Sequence, residues 1–428
     1  MPTTPVPIFD LHCHPILKTY LFNRDLTEND PPALDMELFN VRTLYTSLPK
    51  MRQGNVCGAA SYAYLPEHGL LSEAKNAIVP ISFSLLKLLC TECADKIEDR
   101  RPSASFFQTL QMMRTFEQKV YNANAVMALN RNHFQTAFDN RVKNPSAPPV
   151  FIHALEGGHH LGLENDLNVL KNRLRQYFDQ GVAIITLGHF FDNAVVCSGG
   201  GLPPDVVKEF GYPTYSPDPQ RGLKPIIGEA IVREMWELGM IVDLTHSTEA
   251  ARQEIYKIHE RENSTRPLIF SHIGTRSLFT QGASSSDDQF LEPSDEEIQH
   301  IKRTGGTIGV ICMQYWLNGT LEANKFKFDN YRQRFIPLPD NSLDMMVKTI
   351  QHIAKVCGGS YDNISIGTDF DGFTDVPDDI SSSAALQMLV DALQQAGLSS
   401  AQIEAVLYKN ALRVLDAGWG KTETIPSL

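Results

Sequence analysis

His12 and His14 stand one residue apart in the apolar run Ile8-Phe9-Asp10-Leu11-His12-Cys13-His14. In an extended strand, residues i and i+2 face the same side. Both imidazoles can therefore point at one metal ion. Seven further apolar runs read as buried strands: 56–65, 150–156, 182–189, 240–246, 268–272, 307–313 and 364–369. Several stop at a residue that binds metals or moves protons: Glu156, His189, His246, His272 and Asp369. A single strand-end histidine means little. Six ends of eight, counting the first, that carry such groups point to a two-metal hydrolytic site, with ions about 3.5–4 Å apart. Imidazole with carboxylate favours zinc.

Elements of a particular kind are needed to gather these ends. From the third run on, apolar residues at three- and four-residue spacing mark helices over 165–180, 226–238, 295–304, 343–357 and 384–396, with a closing helix over 400–415. Strands alternating with helices predict parallel strands joined by helical crossovers. Eight units predict one (β/α)8 barrel domain over residues 1–428, whose chemistry sits at the C-terminal strand ends. A mostly helical insertion spans 70–142, with helical stretches at 76–93 and 106–138. The Gly- and Pro-rich segment 198–223 leaves a C-terminal strand end and reads as a lid or as a surface excursion.

Strand parity sorts the other polar residues. If Glu156 faces the mouth, Ala154 and Ile152 share its side and His153 faces the helices. His159 and His160 follow in Gly157-Gly158-His159-His160 and read as loop histidines rather than outer supports of the metal ligands. Asp371 has the parity of Asp369 but lies farther out, so Asp369 is preferred as proton carrier.

The bulk numbers bound the rest. The chain has 428 residues, 42% hydrophobic and 21% charged, with a formal net charge of -12. That balance argues against nucleic-acid binding. No apolar stretch reaches the ~18 residues of a membrane span. The start, Met1-Pro2-Thr3-Thr4-Pro5, lacks the pattern of a signal peptide. Seven cysteines are few and odd in number, which predicts a reducing, cytoplasmic setting. Cys90 and Cys93 form a CxxC within a helical pattern and read as structural thiols.

The strand-end blocks resemble the membrane (renal-type) dipeptidases, zinc peptidases with an amidohydrolase-type barrel. The likeness rests on Glu156-Gly157-Gly158-His159, Leu187-Gly188-His189, Gly239-Met240-Ile241-Val242-Asp243-Leu244-Thr245-His246, Phe270-Ser271-His272 and Gly367-Thr368-Asp369-Phe370-Asp371-Gly372. It implies that Glu156 bridges two zinc ions, with His246 and His272 completing one site and His12 and His14 the other. It also implies that His189 stabilises the oxyanion, that Asp369 shuttles a proton, that the substrate is dipeptide-like and that the protein is a homodimer.

Two departures stand out. The family usually has His-x-Asp where this chain has His12-Cys13-His14. It also places an arginine after the sixth strand to hold the substrate carboxylate. Gln281 through Pro293 contain no basic residue, and Arg276 matches a different family position. These departures keep open a hydrolase of a non-peptide amide, N-acyl compound or lactone, and a catalytically impaired metal-binding barrel. A metal-dependent phosphoesterase is the weaker reading, since only Asp10 to His14 resembles one.

Overall fold

The computed structural model describes residues 5–28, 43–67, 69–72, 103–202, 207–208, 211–214, 216–282, 287–318, 326–329, 334–337, 342–372 and 379–420. Its eight barrel strands are β1 (Ile8–Cys13), β2 (Val56–Ala63), β3 (Val150–Glu156), β4 (Val182–Thr186), β5 (Ile241–Asp243), β6 (Leu268–Ile273), β7 (Thr307–Val310) and β8 (Ile364–Ile366). Each pairs in parallel with the next, and Asp10 of β1 opposite Ile366 of β8 closes the ring. The (β/α)8 architecture expected from the alternation is the one observed.

The strands read as near-continuous apolar runs because parallel barrel strands are buried on both faces. Every residue of β3 is buried, yet its two faces differ. Ile152 and Ala154 join the inner cluster with Leu11, Ala60 and Ile184, whereas Phe151 and Leu155 pack outward. His153 faces outward and its Nε2 meets Glu117 at 2.9 Å, as the parity argument requires. Phe9, Phe134 and Phe138 pack edge to face, with centroids 5.4 and 5.9 Å from Phe9.

Three elements differ from the sequence expectation. The stretch 106–138 is not one helix. It is a helix over Ala104–Asn122, a short strand over Val126–Ala128 and a helix over Arg131–Lys143. The short strand pairs with Val150, Phe151 and Ile152 of β3, below the point where β4 takes over that edge. A helix over Glu249–Arg261 also fills the crossover between β5 and β6. Its strongest start signal is local: the Thr248 hydroxyl accepts the Ala251 N–H at 3.1 Å. The closing helix runs past 415 and contains a π turn over Ala405–Lys409. Its partner residue Asn410 donates to the carbonyls of Tyr361 and Ile364. The expected helix at 76–93, with Cys90 and Cys93, lies outside the described residues.

One buried ion pair ties the mouth loops together. Arg252 is fully buried and its Nε donates to Glu297 Oε1 at 2.6 Å. The same guanidinium donates to the carbonyls of Ser247, Phe290 and Leu291. Removing one partner would strand a buried charge, which costs about 3–5 kcal/mol. Arg252→Met is therefore expected to lower unfolding free energy by about that amount in a denaturant titration. A loss under about 1 kcal/mol would show that the pair does not carry this region.

Candidate metal centre

The barrel brings all seven strand-end residues singled out in the sequence into one pocket. His12 is the last inward residue of β1, and His14 lies just beyond the strand. Their Nε2 atoms approach to 2.9 Å. On the opposite side, the Nε2 atoms of His246 and His272 approach to 3.1 Å. Glu156, at the end of β3, stands between the two pairs. Its Oε2 is 3.2 Å from His14 Nε2, and its Oε1 is 3.4 Å from His12 Nε2 and 3.5 Å from both His246 and His272.

The donor spacing fits metal coordination. Ligand atoms held at about 2.0–2.1 Å in a tetrahedral shell lie about 3.3–3.4 Å from one another. Three sets of donors lie within 4.8 Å of each other: His12, His14 and Glu156; Glu156, His246 and His272; and His12, His272 and Asp369. Glu156 belongs to the first two: its Oε1 faces His12, His246 and His272, and its Oε2 faces His14.

Supports behind the rings fix which nitrogen faces the mouth. His14 Nδ1 donates to the Tyr62 carbonyl at 3.0 Å, so its Nε2 lone pair is presented to the pocket. The Nδ1 atoms of His12 and His272 both reach the Ser271 hydroxyl, at 2.8 and 3.0 Å. Gly367 makes this close approach possible. A Cβ there would stand 1.8 Å from the Ser271 carbonyl and 3.2 Å from the His12 Cβ. Below Ser271 lies the Asp243 carboxylate, which accepts from Thr186 Oγ1 at 2.5 Å and from the Ser271 N–H at 3.0 Å.

The carboxylate and the imidazoles of the cluster shift one another's proton affinity. Burial would raise the Glu156 carboxyl, but the imidazoles of His189, His14 and His12 hold it well below the usual carboxylate range. Burial would lower His14, but the charge of Glu156 and the bond to Asp369 push it up to about 9. Burial and the neighbouring His12 push His272 well below the usual imidazole range. A carboxylate that stays ionised among imidazoles is the donor set a divalent cation requires.

Asp369 and His246 both adopt left-handed backbone, with φ of 60° and 61°. Non-glycine residues adopt this conformation uncommonly, with Asp and His among those that tolerate it best. Asp369 Oδ1 lies 3.1 Å from His14 Nε2. Asp371 serves differently: it accepts the N–H groups of Tyr45 and Thr46 and pairs with Lys18 at 3.0 Å. These bonds hold it as an anchor for the segment that carries Tyr45 and Thr46.

His159 Nε2 donates to the Leu65 carbonyl, and His160 pairs with Thr109; neither belongs to the donor sets. Arg276 reaches the carbonyls of Gln289 and Glu292 and the Glu249 carboxylate. Of the loop after β6, 283–286 lies outside the described residues. The start of the 198–223 segment packs on His246: the Gly199 N–H donates to the His246 carbonyl at 3.1 Å. Residues 203–206, 209–210 and 215 of that segment lie outside the described residues.

One residue here has no counterpart in the sequence reading. Glu67, four residues past the end of β2, is buried and meets His189 Nδ1 at 2.6 Å. Its sequence signal is weak, because the partner lies 122 positions away.

A closed (β/α)8 barrel with histidines and a central carboxylate gathered at its mouth is a barrel of the metal-binding kind. Within that class the chain belongs to the membrane dipeptidase family, peptidase family M19, whose family model matches residues 3–424. A curated relative from Schizosaccharomyces pombe, described as an uncharacterized dipeptidase, is 31% identical over 254 residues, 59% of this chain and 49% of its own length. The chain thus spans about half the length of the first curated relatives it matches. The probable dipeptidase PvdM from Pseudomonas aeruginosa superposes with a TM-score of 0.67 at 18% identity, covering 96% of this chain and 95% of that one. A metallopeptidase from Rhodobacter sphaeroides, liganded with a phosphinate mimic of L-Ala-D-Ala, gives 0.64 at 17% identity, covering 97% of this chain and 100% of that one. At such identities the two structures share the fold.

Proposed function

We propose that this chain is a zinc-dependent dipeptidase that hydrolyses the amide bond of small dipeptide-like substrates. The observation that carries this is Glu156, whose carboxylate lies within 3.5 Å of His12, His14, His246 and His272 and belongs to two donor sets. His12, His14 and Glu156 would hold one ion, and Glu156, His246 and His272 a second. When bound, the metal supplies Lewis acidity and lowers the pKa of water toward neutrality. Asp369 takes the proton of the attacking water and returns it to the leaving amine. His189 Nε2, 3.5 Å from Glu156 Oε2, stabilises the negative charge that develops on the carbonyl oxygen.

The 198–223 segment would close over His246 as a lid. We also read the molecule as one barrel domain with the 70–142 insertion, acting as a homodimer. The small, odd set of cysteines supports a cytoplasmic location. Among the described residues, no helix is long and apolar enough to cross a membrane.

Family membership favours dipeptides over N-acyl compounds and lactones. A panel separates them: Ala-Ala dipeptides, N-acetylated amino acids, simple amides and lactones, each with the zinc-loaded protein. The dipeptides are expected to exceed the others in kcat/KM by about 10²-fold or more. Faster turnover of an N-acyl compound or lactone would replace this reading.

A further inference from the structure

The segment after β2 reaches across to His189 and holds it together with the next two residues. Glu67 Oε1 accepts from His189 Nδ1 at 2.6 Å and from the Phe190 N–H at 3.0 Å, and Glu67 Oε2 accepts from the Phe191 N–H at 2.9 Å. The Tyr64 ring packs on the His189 ring with centroids 4.6 Å apart, and Phe190 covers it from another side at 3.7 Å. Burial would raise the Glu67 carboxyl, but the bond from His189 and the nearby His159 hold it below the usual range.

Two backbone N–H groups could be satisfied by any acceptor. The third donor is different, because it belongs to a ring whose other nitrogen faces Glu156. A carboxylate at Nδ1 fixes both the tautomer and the ring plane, and it balances the charge when Nε2 also carries a proton. With Nδ1–H committed to Glu67, any second proton on the ring must sit on Nε2, pointing into the pocket. We infer that Glu67 is the positioning residue of His189, fixing the proton on Nδ1 and aiming Nε2 at the reacting carbonyl. The catalytic half of this statement rests on the dipeptidase reading. The Nδ1 half rests on geometry alone.

The test uses the full chain loaded with zinc, as wild type, Glu67→Gln and Glu67→Ala. Glutamine keeps the volume and an oxygen for the backbone N–H groups but removes the charge. It is expected to lower kcat on an Ala-Ala dipeptide by about 10²-fold or more, with KM and metal content little changed. A Glu67→Gln variant with wild-type kcat would overturn the proposal. So would a parallel loss of metal and rate, which would mark Glu67 as part of the scaffold. A second readout needs no substrate: NMR of protein labelled with ¹⁵N-histidine. A low-field Nδ1–H resonance is expected from His189 in wild type and should vanish in both variants. Its absence from wild type overturns the proposal. Failure of the wild type to cleave any dipeptide, with the resonance present, instead refutes the dipeptidase reading.

Discussion

Glu156→Ala should abolish metal loading and turnover together. This carboxylate lies 3.2–3.5 Å from His12, His14, His246 and His272. Without it each side keeps two imidazoles, and the bridging carboxylate that both donor sets share is gone. Two neutral ligands hold a divalent cation poorly, and the negative charge that offsets the ions is lost. Metal supplies several kcal/mol of transition-state stabilisation, so its loss should lower kcat/KM by on the order of 10⁴-fold or more. The fold should survive, because the substitution falls at the end of β3 and its backbone pairing with Thr186 is unchanged. Mass spectrometry of bound metal and an assay on an Ala-Ala dipeptide measure both effects. Retention of two ions at the wild-type rate would contradict the assignment.

Asp369→Asn is the second large effect, and it separates two roles that geometry alone brings together. Asp369 Oδ1 lies 3.1 Å from His14 Nε2 and also forms a donor set with His12 and His272. A proton carrier and a metal ligand could each stand there. Asparagine suits the test, because it tolerates the left-handed φ of 60° that alanine would strain. It also keeps the size of the side chain but cannot accept a proton. A proton carrier lost in this way lowers kcat by about 10²–10⁴-fold and leaves metal content near wild type. Loss of one ion with the rate would make Asp369 a ligand instead. Asp371→Asn should behave otherwise, since that carboxylate anchors Tyr45, Thr46 and Lys18. Its cost should appear in stability rather than in the chemical step.

The strand ends were legible because barrel strands are apolar on both faces, so a polar residue at a run's end has no packing reason to be there. His12, Glu156, His246 and His272 could be picked out on that ground, and parity turned His153 away from the mouth. The order of strands and helices was legible for the same reason. What escaped was set by contacts distant in sequence or by short elements. Glu67 lies beyond β2, and its role comes from a histidine far along the chain. The strand Val126–Ala128 has three half-buried or buried residues, too few for period-two alternation to show inside a helical stretch. The helix Glu249–Arg261 carries Arg252, Arg261, Glu249, Gln253 and Glu254, and buried Arg252 sits at an inward position where an apolar residue is expected. Its apolar stripe is therefore interrupted.

His14 is where the chain departs from its family, and the structure gives that departure a physical form. Its Nδ1 is bound to the Tyr62 carbonyl and its Nε2 faces Glu156 and Asp369, so an imidazole occupies the place of a carboxylate with its lone pair turned inward. Replacing an anion by a neutral ligand would leave an ion on that side more electrophilic or more weakly held. Two ions of unequal affinity would follow, the looser one on the His12 and His14 side.

The most direct test of the whole account is a zinc titration of chelator-stripped protein, following bound metal and Ala-Ala hydrolysis in the same samples. The account predicts no turnover in the stripped protein, and activity that returns with zinc and levels off near two ions per chain. Full hydrolysis by metal-free protein, or an intact chain that binds no zinc, would contradict it.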